Sequence, residues 1–157
     1  MGALTALSAV DCPEREQAID DFYMRHSADH LLVDKWFSLQ AQIPEMATAA
    51  RVRRLMSHPD FRMTTPNRVR GLIGTFAMAN PNGFNAPDGE GYRVLADTVI
   101  ALDSRNPQVA ARIATAFRSW RMLESNRRAL VEAELQRVLA SPQLSRDVFE
   151  IVSKSLA

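Results

Sequence analysis

Two helix starts set 41 residues apart constrain this chain more than any other feature. One reads Thr65-Pro66-Asn67-Arg68-Val69-Arg70-Gly71-Leu72-Ile73-Gly74-Thr75-Phe76. The other reads Asn106-Pro107-Gln108-Val109-Ala110-Ala111-Arg112-Ile113-Ala114-Thr115-Ala116-Phe117. Each sets a capping residue before a proline at the first helical position, where a missing N–H costs nothing because that group has no partner inside the helix. Superposed, Pro66 meets Pro107, Leu72 meets Ile113 and Phe76 meets Phe117. A repeat of this length lies in the range of HEAT-type helical pairs. The expected fold is all-α: antiparallel helices stacked in pairs, each burying one stripe, in a HEAT/armadillo-like α-superhelix. Arginines beside small residues on both helices point to a surface suited to an anion.

The rest of the chain reads as helix too. Pro13 opens a helix over Glu14 to Arg25, and a second runs from about Leu31 to Gln42 with Leu32, Trp36 and Leu39 on one side. Pro44 is expected to open a third, to about Ser57, burying Ala49, Val52 and Met56 or Leu55. His58-Pro59 ends it, because a residue before proline is pushed out of the α region. Asn80 to Gly91 is the one substantial loop expected. Helices follow over Tyr92 to Ser104 and about Ser125 to Ala140, where Ser141-Pro142 breaks the pattern. Ser145 caps a last helix whose face is Val148, Ile151, Val152 and Leu156.

At 157 residues the chain makes a single domain, 1–157, with room for a real core. Hydrophobic content of 46% and charged content of 24% are those of a globular protein. A net charge of +1 gives no general attraction to nucleic acid or to a membrane, and neither is expected as a partner. No run approaches the roughly 18 apolar residues of a membrane span. The single Cys12 excludes an internal disulfide and fits a reducing, cytoplasmic setting. Met1 to Val10 is apolar without a basic start, so it reads as a helix that the start of the chain cuts into rather than a signal peptide, with Met1-Gly2 a candidate cloning remnant.

Motifs that carry chemistry are few. His26 and His30 stand at i and i+4, a zinc-binding spacing, but Ser27 occupies the place of the general-base glutamate of an H-E-x-x-H helix. The stretch also falls where one helix gives way to the next, and two solvated histidines near a turn is the simpler reading. Cys12 has no histidine that the sequence assigns to it and reads as a helix-start residue. Gly89-Glu90-Gly91 lacks the strand and the third glycine of a phosphate loop. Asp88 and Glu90 read as solvated loop acids. The arginines offer more. Asn67, Arg70, Gly71, Gly74 and Met78 share one helix face. Two glycines there cost about 1 kcal/mol each against alanine and call for a compensating close contact or an open site. On the second helix Val109, Ile113, Phe117 and Trp120 make the buried stripe, with Gln108, Arg112, Thr115 and Ser119 beside it. Gln108 and Arg112, one turn apart, can grip a carboxylate or a carbonyl together. The competing reading makes Arg70 and Arg112 surface charges or internal salt-bridge partners.

Taken in order, several motifs resemble the C-terminal part of bacterial aminopeptidase N, the zinc-dependent membrane-alanyl aminopeptidase family. They are His58-Pro59-Asp60-Phe61-Arg62-Met63-Thr64-Thr65-Pro66-Asn67-Arg68-Val69-Arg70, Asn80-Pro81-Asn82-Gly83-Phe84, Asp88-Gly89-Glu90-Gly91-Tyr92 and Asn106 to Arg112. Asp34-Lys35-Trp36-Phe37 and the ending Val148 to Ala157 fit the same pattern, so the resemblance runs from about Pro13 to the end of the chain. It implies a parent enzyme that removes single residues from peptide N-termini. The parent's Zn2+ sits in an H-E-x-x-H helix with a downstream Glu, and a G-A-M-E-N loop holds the substrate amine. None of these is in this chain, which is therefore expected to bind no zinc and to be inactive alone. The resemblance further implies a helical domain that closes over the catalytic domain of the same polypeptide and lines the cavity for peptide substrate. Arg70, Gln108 and Arg112, with Asn67, are the positions expected to face that cavity. Gly71 departs from the small residue such as Ser expected there, and Asn85 stands where a His is common. Two other readings remain: a freestanding helical-repeat protein-binding module, and a hydrolase using His26 and His30.

Overall fold

A computed structural model describes residues 2–157; Met1 lies outside the described residues. The elements are α1 (Gly2–Ser8), α2 (Pro13–His26), α3 (His30–Ala41), α4 (Thr48–Met56) and α5 (Pro66–Val69). A π segment (Arg70–Gly74) joins α5 to α6 (Thr75–Ala79). There follow α7 (Pro81–Phe84), α8 (Glu90–Asp103), α9 (Pro107–Ala114), a 3-10 segment (Thr115–Met122), α10 (Ser125–Leu139) and α11 (Arg146–Leu156). No strand occurs among the described residues.

Short turns between consecutive helices make them antiparallel neighbours. α8 packs along α9, α9 along α11, and α10 across both α8 and α11. At the other end α3 packs on the π segment, on α4 and on α2. The aligned positions of the two proline-led helices are equivalent in space as well as in sequence. Leu72 and Ile113 are both buried, and Phe76 and Phe117 both meet the Phe84 ring, at centroid distances of 5.8 and 6.2 Å. Tyr92 closes this cluster edge-on to Phe84 at 5.3 Å. The predicted stripe of Val109, Ile113, Phe117 and Trp120 is buried.

Capping follows side-chain chemistry unevenly. Asn106 accepts from the Val109 N–H at 3.2 Å and Ser145 from the Val148 N–H at 3.2 Å. Thr65 makes no such bond, so the α5 start rests on Pro66 and on tertiary contacts. Pro44 does not open a helix: α4 begins at Thr48. The Ile43 carbonyl accepts from the Thr48 hydroxyl at 2.6 Å, the Asn80 amide at 2.7 Å and the Glu45 N–H at 2.8 Å, which holds Pro44 to Ala47 in a turn. Leu55 takes the buried position, with Met56 packed at its margin. Asn80 to Gly91 is not a plain loop. Asn80 is buried, caps α7 through Gly83 N–H at 2.9 Å, and donates to the carbonyls of Ala41 and Ile43. Gly89 turns the chain into α8 with φ of +68°, a region that favours glycine.

Candidate functional site

Arg70, Gln108 and Arg112 line one cleft of about 500 Å³. The buried stripe of α9 turns the opposite face, with Gln108 and Arg112, toward solvent. Arg70 enters from the first residue of the π segment, a helix form found often at functional sites. Here the two helical glycines separate in role. A Cβ on Gly71 would meet the Ser38 hydroxyl at 3.1 Å and the Asp34 carbonyl at 3.3 Å, so Gly71 lets α3 approach the backbone. A Cβ on Gly74 would meet only ordinary contacts, Ile113 at 3.8 Å and Arg70 at 4.0 Å. Close packing accounts for the first glycine and not for the second.

The arginines of this chain fall into two classes. Arg68 is buried and donates to Asp34 at 2.7 Å and to the carbonyls of Asp60 and His30, with its guanidinium over the Phe37 ring. Arg15 is buried likewise, bonded to Glu45, Glu16, Asp11 and the Val10 carbonyl. These two are structural. Arg70 is exposed, and among the described residues its guanidinium donates to Asn67 alone, at 2.9 Å. Among the described residues, no ion pair or side-chain hydrogen bond engages the Arg112 guanidinium. The internal salt-bridge role weighed for Arg70 belongs to its neighbour Arg68 instead. Asn67 reaches the cleft only through Arg70 and itself lines an adjoining cleft with Asp34, Asp60 and Arg68.

α11 supplies the far wall with Asp147, Glu150 and Ile151, which the sequence reading treated only as part of a core-forming helix. Glu150 is held by Lys154 at 2.6 Å, and that bond keeps its carboxyl below the ordinary value. The i,i+3 spacing of Asp147 and Glu150, off the Val148/Val152 face, is the signal that could have placed them here. The cleft offers cationic donors and an amide to a carboxylate or peptide carbonyl, and no nucleophile paired with a base.

The remaining candidates disperse. His26 ends α2, its ring tilted against Phe22 at a centroid distance of 4.6 Å, and His30 opens α3, so the shared helix face that zinc would use is not formed. No group of three or more His, Cys, Asp or Glu that could hold a metal occurs among the described residues. Cys12 is half-buried at the N-cap of α2. Asp88 caps the Glu90 N–H at 2.9 Å. Burial pushes the Glu90 carboxyl up, but hydrogen bonds from Arg53 and Arg93 outweigh it and hold it below the ordinary value. Both acids are structural rather than merely solvated. Asn85 accepts from the Tyr92 hydroxyl at 3.1 Å, and burial pushes that phenol up to about 12.

The whole chain, residues 1–157, matches the family described as domain of unknown function (DUF3458_C) ARM repeats. The chain belongs to that family. Its all-helical stack agrees with the HEAT/armadillo-like α-superhelix expected from the sequence. The chain is 39% identical to aminopeptidase N of Caulobacter vibrioides over 156 residues, covering 99% of the chain and 18% of that protein. Against aminopeptidase N of Escherichia coli K12 the identity is 37% over 157 residues, again 18% of the relative. Among solved structures, aminopeptidase A of Legionella pneumophila, in complex with aspartic acid, superposes with a TM-score of 0.90 at 36% identity. That match covers 98% of this chain and 18% of that one. The chain thus spans about a fifth of the length of these relatives and matches their C-terminal part.

Proposed function

We propose that this domain is the non-catalytic C-terminal part of a zinc aminopeptidase, closing over the catalytic domain of the same polypeptide. In this reading it presents Arg70, Gln108 and Arg112 to the distal end of a peptide substrate. The observation that carries it is the Arg112 guanidinium, left without an internal partner in a cleft shared with Arg70 and Gln108. An arginine without an ion-pair partner can give a bound carboxylate a charge-assisted hydrogen bond, in a cleft whose far wall carries Asp147 and Glu150. Zinc belongs to the remainder of the enzyme in this proposal, because His26 and His30 do not share a face. The lone thiol of Cys12 agrees with a cytoplasmic setting.

The test uses the full-length enzyme and two substrates. Arg112→Ala should lower kcat/KM about tenfold or more on a tripeptide, the loss expected of a charge-assisted hydrogen bond. On an amino-acid chromogenic amide, which has no distal carboxylate, the same change should be near neutral. Equal losses on both substrates would refute the carboxylate role.

A further inference from the structure

The cleft that holds Arg70, Gln108 and Arg112 carries both signs of charge. The π segment and α9 give its cationic side, and α11, packed along α9, gives Asp147, Glu150 and Ile151. The two acids differ in what engages them. Glu150 is held by Lys154, one turn further along α11, at 2.6 Å. The Asp147 carboxylate is exposed, and among the described residues no ion pair or hydrogen bond engages it. The Arg112 guanidinium is in the same state on the other side. An unengaged carboxylate and an unengaged guanidinium therefore line one cleft without pairing with each other. Ile151 follows Asp147 by one helical turn and Val109 precedes Arg112 by one, so each charge has an apolar lining residue beside it.

We propose that this cleft selects peptides whose last residue is lysine or arginine. Arg112, with Gln108 one turn away, takes the C-terminal carboxylate, and Asp147 takes the cationic end of the same residue's side chain. This rests on the proposed function for the carboxylate and adds the side chain to it. Lysine and arginine have aliphatic stems that lie along apolar surface while the charged head stays solvated, and Val109 and Ile151 supply that surface. An acidic last residue instead sets a second anion against Asp147 and Glu150, which is unfavourable. Asp147 also stands in the first turn of α11, where a carboxylate complements the helix dipole. That structural role is indifferent to the charge of a substrate.

Full-length enzyme assayed on three tripeptides tests this. All begin Ala-Ala, and the last residue is lysine, norleucine or glutamate. Norleucine has an unbranched aliphatic side chain without the charge. The kcat/KM for alanine release should be about threefold higher with lysine than with norleucine, the worth of an exposed ion pair, and lower with glutamate. Asp147→Asn should bring the lysine-to-norleucine ratio to one, and Asp147→Glu should keep it above one. High salt should shrink the ratio, because both charges are solvated. A ratio of one in the wild-type enzyme, or a ratio that survives Asp147→Asn, overturns the proposal. So does an equal loss on the lysine and norleucine peptides in Asp147→Asn, which marks Asp147 as a helix-start residue only. Arg112→Ala reads the proposed function separately. If it lowers kcat/KM on all three tripeptides while the wild-type lysine ratio is one, the carboxylate role stands and the selection falls. If it lowers none of them, the carboxylate role falls and the selection with it.

Discussion

Asn80→Ala should be among the most damaging single substitutions outside the aromatic core. Asn80 is 1% exposed and makes three side-chain hydrogen bonds. Its amide donates to Ala41 O at 3.0 Å and Ile43 O at 2.7 Å, and its oxygen accepts from Gly83 N at 2.9 Å. It thereby ties the end of α3, the turn before α4 and the start of α7 together. At about 1 kcal/mol per bond, truncation costs about 3 kcal/mol, since the groups left behind are buried. For a domain of this size that is a fall of about 6–12 °C in Tm. Asn80→Asp separates bonding from packing. It keeps the acceptor for Gly83 but sets a second oxygen against two carbonyl oxygens, in a place where a charge is poorly solvated. At neutral pH it should therefore be worse than alanine. A carboxyl destabilised as an anion has its folded pKa raised, so the penalty shrinks as pH falls toward its unfolded value of about 3.9. Urea denaturation followed by circular dichroism measures all three chains at two pH values. A loss below about 1 kcal/mol for alanine, or a milder aspartate at neutral pH, would refute the reasoning.

Two further outcomes follow from glycines and carboxylates. Gly74→Ala should raise stability by about 0.5–1 kcal/mol, because its Cβ meets only van der Waals contacts, whereas Gly91→Ala should lower it by about 2 kcal/mol or more, because its Cβ would overlap the Phe84 backbone. Thermal melts that shift in the same direction would contradict the packing argument. Glu16 is held below its ordinary value first by the Arg51 hydrogen bond, and Glu90 by Arg53 and Arg93 against its burial. Both carboxylates therefore contribute stability above their unfolded pKa, and that contribution is lost as pH falls through the lower folded values. Arg51→Met should flatten the decline in stability between about pH 5 and pH 3, and an unchanged slope would assign the decline to other groups.

Much of the fold was legible because it rests on local chemistry. Prolines at the first helical position, the caps at Asn106 and Ser145, and apolar spacing near 3.6 act within a few residues. These predicted the all-helical stack, the equivalence of Phe76 with Phe117 and the buried stripe of Val109, Ile113, Phe117 and Trp120. The start of α4 was misplaced because the Ile43 carbonyl is claimed by Asn80, 37 residues away. The 3-10 form of residues 115–122, which changes the row containing Ser119, was equally out of reach.

The candidate site divides in the same way. Sequence alone brought Gln108 and Arg112 onto one exposed face, since a helical turn relates them. It also singled out Arg70. It did not disclose why Arg68, only two residues from Arg70, has opposite surroundings. That difference depends on α3, which brings Asp34 and Phe37 to Arg68 and leaves Arg70 facing the cleft. Likewise only the packing of α11 along α9 sets Asp147 and Glu150 opposite the arginines. Periodicity determines which face of a helix is buried, because it acts along one element. Which charges lose their water and which keep it is decided between elements, by what packs against them.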